Sequence, residues 1–306
     1  MERRNFLRSP LGPAVTRLAQ ARKTLPRRPY RDNVQLSIIG FGGMVVVGQE
    51  QKSAGRMVAE AIARGVNYFD VAPTYGDGEA EIKLGSALTP YRRNVFLACK
   101  TTVRDAAGAQ KELDRSLERL HTDHFDLYQF HAVSSLDDVK QILGPGGAAE
   151  AFLKARAQGK ARYLGCSAHS AEAALALMEG FQLDSILFPV NFVLYQQGGF
   201  GPQIMARAKD KGVARLALKS LAYTKWPEGA HETYPKCWYQ PVEQGDLARR
   251  ALRFTLSEDV TAAIPPGDER LFQMALEIAL EFRPLSDAER QNLLAETAGV
   301  APIFRT

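Results

Sequence analysis

The sequence has few cysteines and no long apolar run, and both shortages narrow the class of protein. Its three cysteines, Cys99, Cys166 and Cys237, lie far apart and form no CxxC pair. This usage is typical of a reducing compartment and predicts no disulfide framework, iron–sulfur cluster or metal site. No apolar run approaches the roughly 20 residues that cross a bilayer, so we expect no integral membrane segment.

A basic surface on the folded body is also missing. The chain carries a net charge of +5, but residues 1–31 hold nine Lys and Arg against one acid, Glu2. This stretch therefore carries +8, and the rest of the chain carries −3. Because a nucleic-acid-binding protein needs a basic face on its folded part, we expect no nucleic-acid partner. We predict a basic, flexible or loosely docked extension over residues 1–30 and one domain over residues 31–306.

The extension contains one motif with a second interpretation. Arg3-Arg4-Asn5-Phe6-Leu7 resembles the twin-arginine export motif. Such signals continue with an apolar core of about 7–15 residues, but here Pro10, Pro13 and Arg17 follow. The sequence therefore predicts a cytoplasmic protein, and a decayed or weak export signal is the alternative.

From residue 35 onward, strand-like and helix-like segments alternate. Amphipathic helical segments such as Ala109–Leu120 and Ala148–Ala157 separate short apolar runs. This pattern is typical of parallel strands covered by helices, and eight such units in about 270 residues predict an α/β fold, the (β/α)8 TIM barrel. The eight runs are Leu36–Ile39, Tyr68–Val71, Val95–Cys99, Phe125–Phe130, Arg162–Gly165, Ile186–Val190, Ala214–Leu218 and Val260–Ile264.

A doubly wound open sheet is the alternative fold. It usually carries GxGxxG after an early strand, and Gly40-Phe41-Gly42-Gly43 lacks the third glycine. Two insertions interrupt the alternation. Gly144–Gly147 predicts a turn that splits a helical region, and Ala222–Gln240 is an aromatic loop that either covers the active-site face or only packs against it.

Four chemically suited side chains follow three successive predicted strands. Asp70, Lys100 and His131 stand at strand ends, and Tyr75 lies in the Pro-broken loop after Asp70. The C-terminal ends of all barrel strands open onto one face, so the four should meet there. A buried Asp needs a cation or hydrogen bonds, and a Tyr with a pKa near ~10 needs a cation to act as an acid at neutral pH. We therefore predict a proton-transfer site, although each residue alone also has a structural interpretation.

Two motifs around these residues resemble those of the aldo-keto reductases. Gly65–Gly76 (GVNYFDVAPTYG), followed by Glu81, is similar to the family's Asp-and-Tyr signature. Ser116–Leu120 and Asp126–His131 are similar to the run into its catalytic histidine. The similarity covers roughly residues 35–280. It implies a barrel that uses NADPH or NADH to reduce small-molecule aldehydes and ketones.

The resemblance also implies a role for each of the four residues. Tyr75 would donate the proton, Lys100 would lower the pKa of its phenol, and Asp70 would hold Lys100 in place. A neutral His131 would orient the carbonyl oxygen. The alternatives are a cofactor-binding regulatory module with little turnover and a cofactor-recycling lyase or epimerase acting on a sugar-like substrate.

The family's cofactor contacts are only partly present. Ser167 matches the Ser of a Ser-Asn pair that holds the nicotinamide amide, but Ala168 replaces the Asn. The family's Gln falls at Pro189, with Asn191 as a substitute, and Leu218 stands where a Tyr often stacks on the ring.

The remaining cofactor contacts concern the phosphates. Lys219 and Ser220 are expected at the pyrophosphate, and Arg270 at a 2′-phosphate, the mark of NADPH. Asp268 and Glu269 would instead suit the free ribose of NADH, so NADPH is the prediction and NADH the alternative. Gly43, Met44 and Leu221 complete the expected cofactor set. The sequence leaves the natural substrate and the oligomeric state open.

Overall fold

The computed structural model describes residues 23–230, 233–243 and 245–304. The twin-arginine motif and residues 1–22 of the predicted extension lie outside the described residues. In chain order the described strands are β1 (Arg27–Pro29), β2 (Gln35–Ser37), β3 (Phe41–Gly42), β4 (Tyr68–Asp70), β5 (Phe96–Thr101), β6 (Phe125–Val133), β7 (Ala161–Ala168), β8 (Ser185–Pro189), β9 (Ala214–Leu218), β10 (Ala222–Lys225), β11 (Tyr239–Pro241) and β12 (Ala262–Ile264). The described α-helices are α1 (Gln51–Ala63), α2 (Glu79–Leu88), α3 (Ala106–Arg119), α4 (Leu136–Leu143), α5 (Ala148–Ala157), α6 (Ala171–Gly180), α7 (Phe192–Gln197), α8 (Pro202–Asp210), α9 (Gly245–Ser257), α10 (Glu269–Leu280) and α11 (Asp287–Glu296).

Eight of the strands form one parallel sheet that closes into a barrel. Their order is β12-β9-β8-β7-β6-β5-β4-β3. A parallel bridge between Ile39 and Ala263 joins the segment before β3 to β12. Helices follow the strands and cover the outside of the sheet. The predicted (β/α)8 barrel is therefore confirmed, and the open doubly wound sheet is excluded.

The first predicted strand, Leu36–Ile39, is wrong in its extent. Regular pairing in β2 stops at Ser37, and the first barrel strand, β3, begins only at Phe41. The Ser37 hydroxyl donates a hydrogen bond to the Ile39 carbonyl at 2.7 Å, and a hydroxyl that bonds nearby backbone competes with a regular strand ladder. The predicted run therefore begins in β2, outside the barrel sheet, and ends before the first barrel strand.

The antiparallel hairpin β1–β2 closes the bottom of the barrel. Its Tyr30 side chain is buried and bonds the Ser185 hydroxyl at 2.9 Å. The Arg28 guanidinium donates to the carbonyls of Leu256 and Val260, both at 2.6 Å. The boundary that we predicted at residue 30 thus falls inside a segment that packs on the barrel.

Strand alternation separates two cores and places the site. Tyr68, Phe96 and Leu127 point into the barrel, whereas the neighbouring residues Phe69 and Leu97 pack outward against the helices. Successive side chains of a strand point to opposite faces, so every second residue belongs to the interior. The last interior positions of β4, β5 and β6 are polar, and they lie at the C-terminal rim. The barrel below them is filled with aromatic and aliphatic side chains.

Both predicted insertions are present. The turn at Gly144–Gly147 separates α4 from α5, and a Cβ on Gly147 would lie 2.3 Å from the Gln141 carbonyl oxygen, so only glycine fits there. The aromatic stretch Ala222–Gln240 contains the antiparallel hairpin β10–β11 rather than only a loop. None of the described helices is both long and apolar enough to cross a membrane.

Candidate active site

The four predicted catalytic residues line one cavity at the C-terminal rim of the barrel. Its volume is about 290 Å³. The side chains come from the ends of most barrel strands and from the hairpin β10–β11. The lining residues are Gly42, Met44, Asp70, Tyr75, Lys100, His131, Ser167, His169, Leu187, Leu218, Lys219, Lys236, Trp238, Tyr239, Ile264, Pro265, Pro266 and Gly267.

A buried ion pair between Asp70 and Lys100 forms the base of the cavity. Both side chains are about 1% exposed. The Lys100 ammonium contacts one oxygen of Asp70, and Gln129 Nε2 donates to the other at 3.1 Å. The Tyr68 hydroxyl lies 3.4 Å from the same second oxygen. A carboxylate with these partners can remain ionised in the interior, since burial of an unpaired charge is very costly.

Lys100 connects this ion pair to Tyr75. Its ammonium lies 5.0 Å from the centre of the Tyr75 ring, and its charge acts on the Tyr75 hydroxyl. Burial alone would lower the pKa of Lys100, but the charge of Asp70 and the bond to Tyr75 outweigh it, so the pKa of Lys100 is raised and its charge is secure. Burial raises the pKa of Tyr75, and the Lys100 charge opposes this rise. The arrangement can therefore stabilise a developing phenolate.

His131 faces the same cavity in its neutral form. Its ring lies edge-on to the Tyr75 ring, with the ring centres 5.8 Å apart. Burial, together with the charges of Lys100 and Arg104, keeps the pKa of His131 well below its usual value. Its buried Nδ1 has no hydrogen-bond partner among the described residues. A neutral imidazole of this kind can donate a hydrogen bond to a carbonyl oxygen.

A backbone irregularity directs His131 into the cavity. The next residue, Ala132, has a positive φ of 54°, and the register between β6 and β7 shifts at this point. The Ala132 N–H donates to the Ser167 hydroxyl oxygen at 2.8 Å. Arg104 Nη2 donates to the His131 carbonyl at 2.9 Å. These two contacts hold a backbone conformation that alanine adopts at a cost of about 1–2 kcal/mol.

Three of the predicted cofactor residues line the cavity. Met44 stands after β3, Ser167 lies near the end of β7, and Lys219 follows β9. Gly43 lies beside them, where a Cβ would come within 2.9 Å of Val71, so the chain passes too closely for a side chain.

Four other predicted cofactor residues are placed elsewhere. The Asn191 amide is occupied, since its oxygen accepts from Leu194 N at 2.9 Å and its nitrogen donates to the Lys219 carbonyl at 3.0 Å. Ser220 and Leu221 are buried behind the cavity wall. Arg270 lies on the surface with its guanidinium bonded to Asp268. The structure does not bring these four to the cavity.

The sequence reasoning left several cavity residues out of the predicted site. Among them, His169 and Lys236 were not considered, and Trp238 and Tyr239 were expected only as part of the aromatic loop Ala222–Gln240. His169 could have been found by strand alternation, since it lies two positions beyond Ser167. The other three belong to or flank β11, which sequence periodicity did not reveal. The hairpin returns them to the rim about 20 residues after β9.

Comparison with known proteins gives a consistent assignment. The Aldo/keto reductase family profile matches residues 38–267. An uncharacterized oxidoreductase of Bacillus subtilis strain 168, YqkF, is 31% identical over 302 residues, which cover 89% of this chain and 96% of that protein. The methylglyoxal reductase YeaE of Escherichia coli K12 is 33% identical over 142 residues, 45% of this chain and 48% of that protein.

Solved structures share the fold. Aldo-keto reductase AKR11C1 from Bacillus halodurans, in its holo form, superposes with a TM-score of 0.71 at 24% identity, over 92% of this chain and 100% of that one. An aldo-keto reductase from Klebsiella pneumoniae in complex with NADPH gives 0.66 at 20% identity, over 94% and 98%. The barrel and its rim of polar strand ends thus define a (β/α)8 oxidoreductase. The chain belongs to the aldo/keto reductase family and is an NAD(P)H-dependent reductase.

Proposed function

We propose that this protein reduces an aldehyde or ketone with NADPH, and that Tyr75 is the general acid. The observation that carries the proposal is the Lys100 ammonium. Asp70 holds it beside the Tyr75 hydroxyl, in a cavity that also contains the neutral His131. Together these groups can hold a proton at Tyr75 and deliver it to one small-molecule substrate.

The protein's own contribution to the reaction is to place and protonate the carbonyl oxygen. The bound nicotinamide supplies the hydride. His131 and Tyr75 donate hydrogen bonds to the carbonyl oxygen and polarise it. As negative charge gathers there, the Tyr75 proton moves to the oxygen, and the Lys100 charge stabilises the phenolate that remains. Asp70 keeps Lys100 charged and in position throughout.

The rim of the cavity fits a dinucleotide. Gly267, in the loop after β12, also lines the cavity. A Cβ at this position would come within 2.3 Å of Met44, so the loop passes the cavity without a side chain there. The Lys236 ammonium donates to the Val45 carbonyl at 3.0 Å and can also meet a phosphate. The Ser167 hydroxyl accepts from Ala132 and still has its own proton for the nicotinamide amide.

NADPH is the cofactor that we propose, with NADH as the alternative. Arg270 is exposed, and Asp268 orients its guanidinium with two hydrogen bonds. A guanidinium held in this way can pair with a 2′-phosphate. The Klebsiella pneumoniae structure of the same fold contains NADPH, which supports this choice.

The test of the general acid is Tyr75→Phe. Loss of general acid catalysis typically costs about 10²–10⁴ in rate, so we expect a kcat reduction in this range. The assay follows NADPH absorbance at 340 nm with a panel of aldehydes and ketones. Methylglyoxal belongs in the panel because the Escherichia coli relative carries its name. Tyr91→Phe, a partly buried tyrosine remote from the cavity, is the matched control.

Two outcomes would point to the other functions. Tight NADPH retention by the unaltered protein with no turnover of any carbonyl would favour a cofactor-binding module. Conversion of a sugar-like substrate without net NADPH consumption would favour a lyase or epimerase. A Tyr75→Phe protein that keeps its full rate would refute the proposed role of the phenol.

A further inference from the structure

The backbone kink after His131 is bonded by a guanidinium that does not line the cavity. Arg104 lies in the loop between β5 and α3, and its Nη2 donates to the His131 carbonyl at 2.9 Å. The same nitrogen donates to the Ala132 carbonyl at 3.4 Å. Arg104 is absent from the cavity lining. Its hydrogen bonds to the end of β6 thus run to backbone atoms and leave the space for the substrate free.

Asp138, in the first turn of α4, sets the direction of this guanidinium. Arg104 Nε donates to Asp138 Oδ1 at 2.9 Å, and the Arg104 side chain is 13% exposed. The other oxygen of Asp138 accepts from Ser134 N at 2.8 Å and from Ser135 N at 3.2 Å. Because a guanidinium is planar, a bond from its Nε to a held carboxylate also fixes where its Nη2 points.

The loop that carries Arg104 is anchored through its backbone as well. The Arg104 carbonyl accepts from Ala148 N at 2.7 Å. The next residue, Asp105, forms an antiparallel bridge with Gly147. The turn at Gly144–Gly147, which separates α4 from α5, therefore supports the loop from which Arg104 reaches β6.

The His131 ring depends on this backbone for its position. Its buried Nδ1 has no hydrogen-bond partner among the described residues, so no bond at this atom fixes the ring. The ring instead follows a backbone that enters a positive φ at Ala132. Such a conformation persists only when the surrounding structure holds it. A rotation of the His131 backbone would turn the ring away from Tyr75, which it meets edge-on.

The charge of Arg104 also reaches the His131 ring. Burial is the largest cause of the low pKa of His131, followed by the electrostatic effects of Lys100 and His169, and that of Arg104 adds to them. A neutral imidazole has one nitrogen that donates and one that accepts. The same guanidinium therefore acts on the backbone and on the protonation state of His131.

We propose that Arg104, oriented by Asp138, is a positioning residue for His131 in the reduction of the substrate. It holds the backbone at the end of β6 so that the imidazole donates to the substrate oxygen while Tyr75 delivers the proton. Arg104 acts through His131 and not on the substrate itself. This inference rests on the proposed reductase function, because the step that it serves belongs to that reaction.

The other end of the same strand offers a matched control. Arg92 donates to the carbonyl of His124, directly before β6, at 2.8 Å and pairs with Asp126 at 3.1 Å. Its side chain is 15% exposed, close to the value for Arg104. The two arginines therefore bond the two ends of β6 in a similar way, and of the two, Arg104 bonds the end that carries His131.

The test is a double-mutant cycle on the NADPH-dependent reduction of an aldehyde. It measures kcat and KM for Arg104→Met, Arg104→Lys and Arg92→Met, each with His131 intact and with His131→Ala. Misplacement of a positioned group by about 1 Å can cost about 100-fold in rate, so Arg104→Met should lower kcat by about 10- to 100-fold when His131 is intact. In the His131→Ala background the same substitution should change kcat by less than about 2-fold, because the group on which it acts is gone.

Three comparisons separate positioning from a general loss of structure. Arg104→Lys retains the charge and can keep one of the bonds, so it should recover part of the rate. Arg92→Met should keep kcat within about 2-fold of the unaltered protein, and Arg104→Met should keep its affinity for NADPH. If Arg104→Met does not fold, Arg104→Lys replaces it in the cycle. An equal loss of kcat with and without His131 would overturn the inference, as would full activity in the most disruptive Arg104 variant that folds.

Proton NMR of the histidine rings reports on the same residue without turnover. The His131 signal is the one that His131→Ala removes, and we expect Arg104→Met to shift it and Arg92→Met to leave it in place. If the unaltered protein reduces no carbonyl but Arg104→Met shifts this signal, the reductase function fails and the link from Arg104 to His131 stands. If Tyr75-dependent reduction is present and Arg104→Met alters neither the signal nor kcat, the inference fails and the reductase function stands.

Discussion

Asp70→Asn is the substitution that most directly tests how the cavity maintains its charge. It removes the partner of Lys100 without changing the volume of the side chain. Lys100 is about 1% exposed, so its ammonium would then lack a counter-ion in the interior. Breaking a buried ion pair in this way typically costs about 3–5 kcal/mol.

The pH dependence of this cost gives the test its specificity. Lys100 can escape the penalty by losing its proton, at a cost set by its ordinary pKa of 10.5. That cost is about 5 kcal/mol at pH 7 and about 2 kcal/mol at pH 9, at 1.36 kcal/mol for each pH unit. In the variant the folded state then binds fewer protons than the unfolded state, so its stability rises with pH.

The unaltered protein shows no such rise over the same range. The pKa of Lys100 is raised in its folded state, so the contribution of this group is fully present below its ordinary pKa and is lost only above it. The free energy of unfolding contributed by this pair is therefore flat from pH 7 to pH 9. The stability difference between the two proteins should shrink by about 1–3 kcal/mol across that range if Lys100 becomes neutral.

Urea unfolding followed by circular dichroism at pH 7, 8 and 9 measures this difference. Asp123→Asn is the control, since the Asp123 side chain is 94% exposed and contacts only His124 in an exposed pair. We expect its effect to stay below about 1 kcal/mol. A destabilisation by Asp70→Asn that is equal at all three pH values would refute the reasoning, as would no destabilisation at all. At pH 9 the Asp70→Asn variant should regain stability but have lower reductase activity, because a neutral Lys100 no longer assists Tyr75.

A further prediction concerns Ser167, near the end of β7. Ser167→Ala removes the acceptor of the Ala132 N–H, so the free energy of unfolding, measured in urea without cofactor, should fall by about 1–3 kcal/mol. An unchanged free energy of unfolding would mean that this bond does not hold the His131 segment.

The fold and the cavity residues Asp70, Lys100 and His131 could be predicted because both depend on strands. Parallel strands end on one rim, so Asp70, Lys100 and His131 meet although about 30 residues separate each from the next. Strand alternation sets which side chains point inward, and the barrel structure confirms that all three do. Buried strands carry a strong sequence signal, because their packing demands continuous apolar runs. Residues at the ends of such runs are therefore located by the fold itself.

The first predicted strand shows where prediction from apolar runs fails. Leu36–Ile39 has the composition of a single buried strand, yet Ser37 and Asn67 redirect the backbone with side-chain bonds. Asn67 Oδ1 accepts from Ser37 N at 2.7 Å, while the Ser37 hydroxyl bonds the Ile39 carbonyl. Polar side chains that bond nearby backbone leave no trace in apolar periodicity. The error is confined to one short segment because the other seven strands determine the closure of the barrel.

The residues that would recognise cofactor and substrate were harder to predict, for a physical reason. Asn191 appeared suited to an amide contact, but it caps α7 and binds the Lys219 backbone, and both demands are local to the fold. Lys219 depends on a positive φ and on two rings that the chain brings back only through the β10–β11 hairpin. Loop conformation and hairpin pairing determine such contacts, and neither follows from periodicity. Strand ends thus carry the chemistry that a sequence can show, whereas the returning hairpin brings Trp238 and Tyr239 to the Lys219 ammonium.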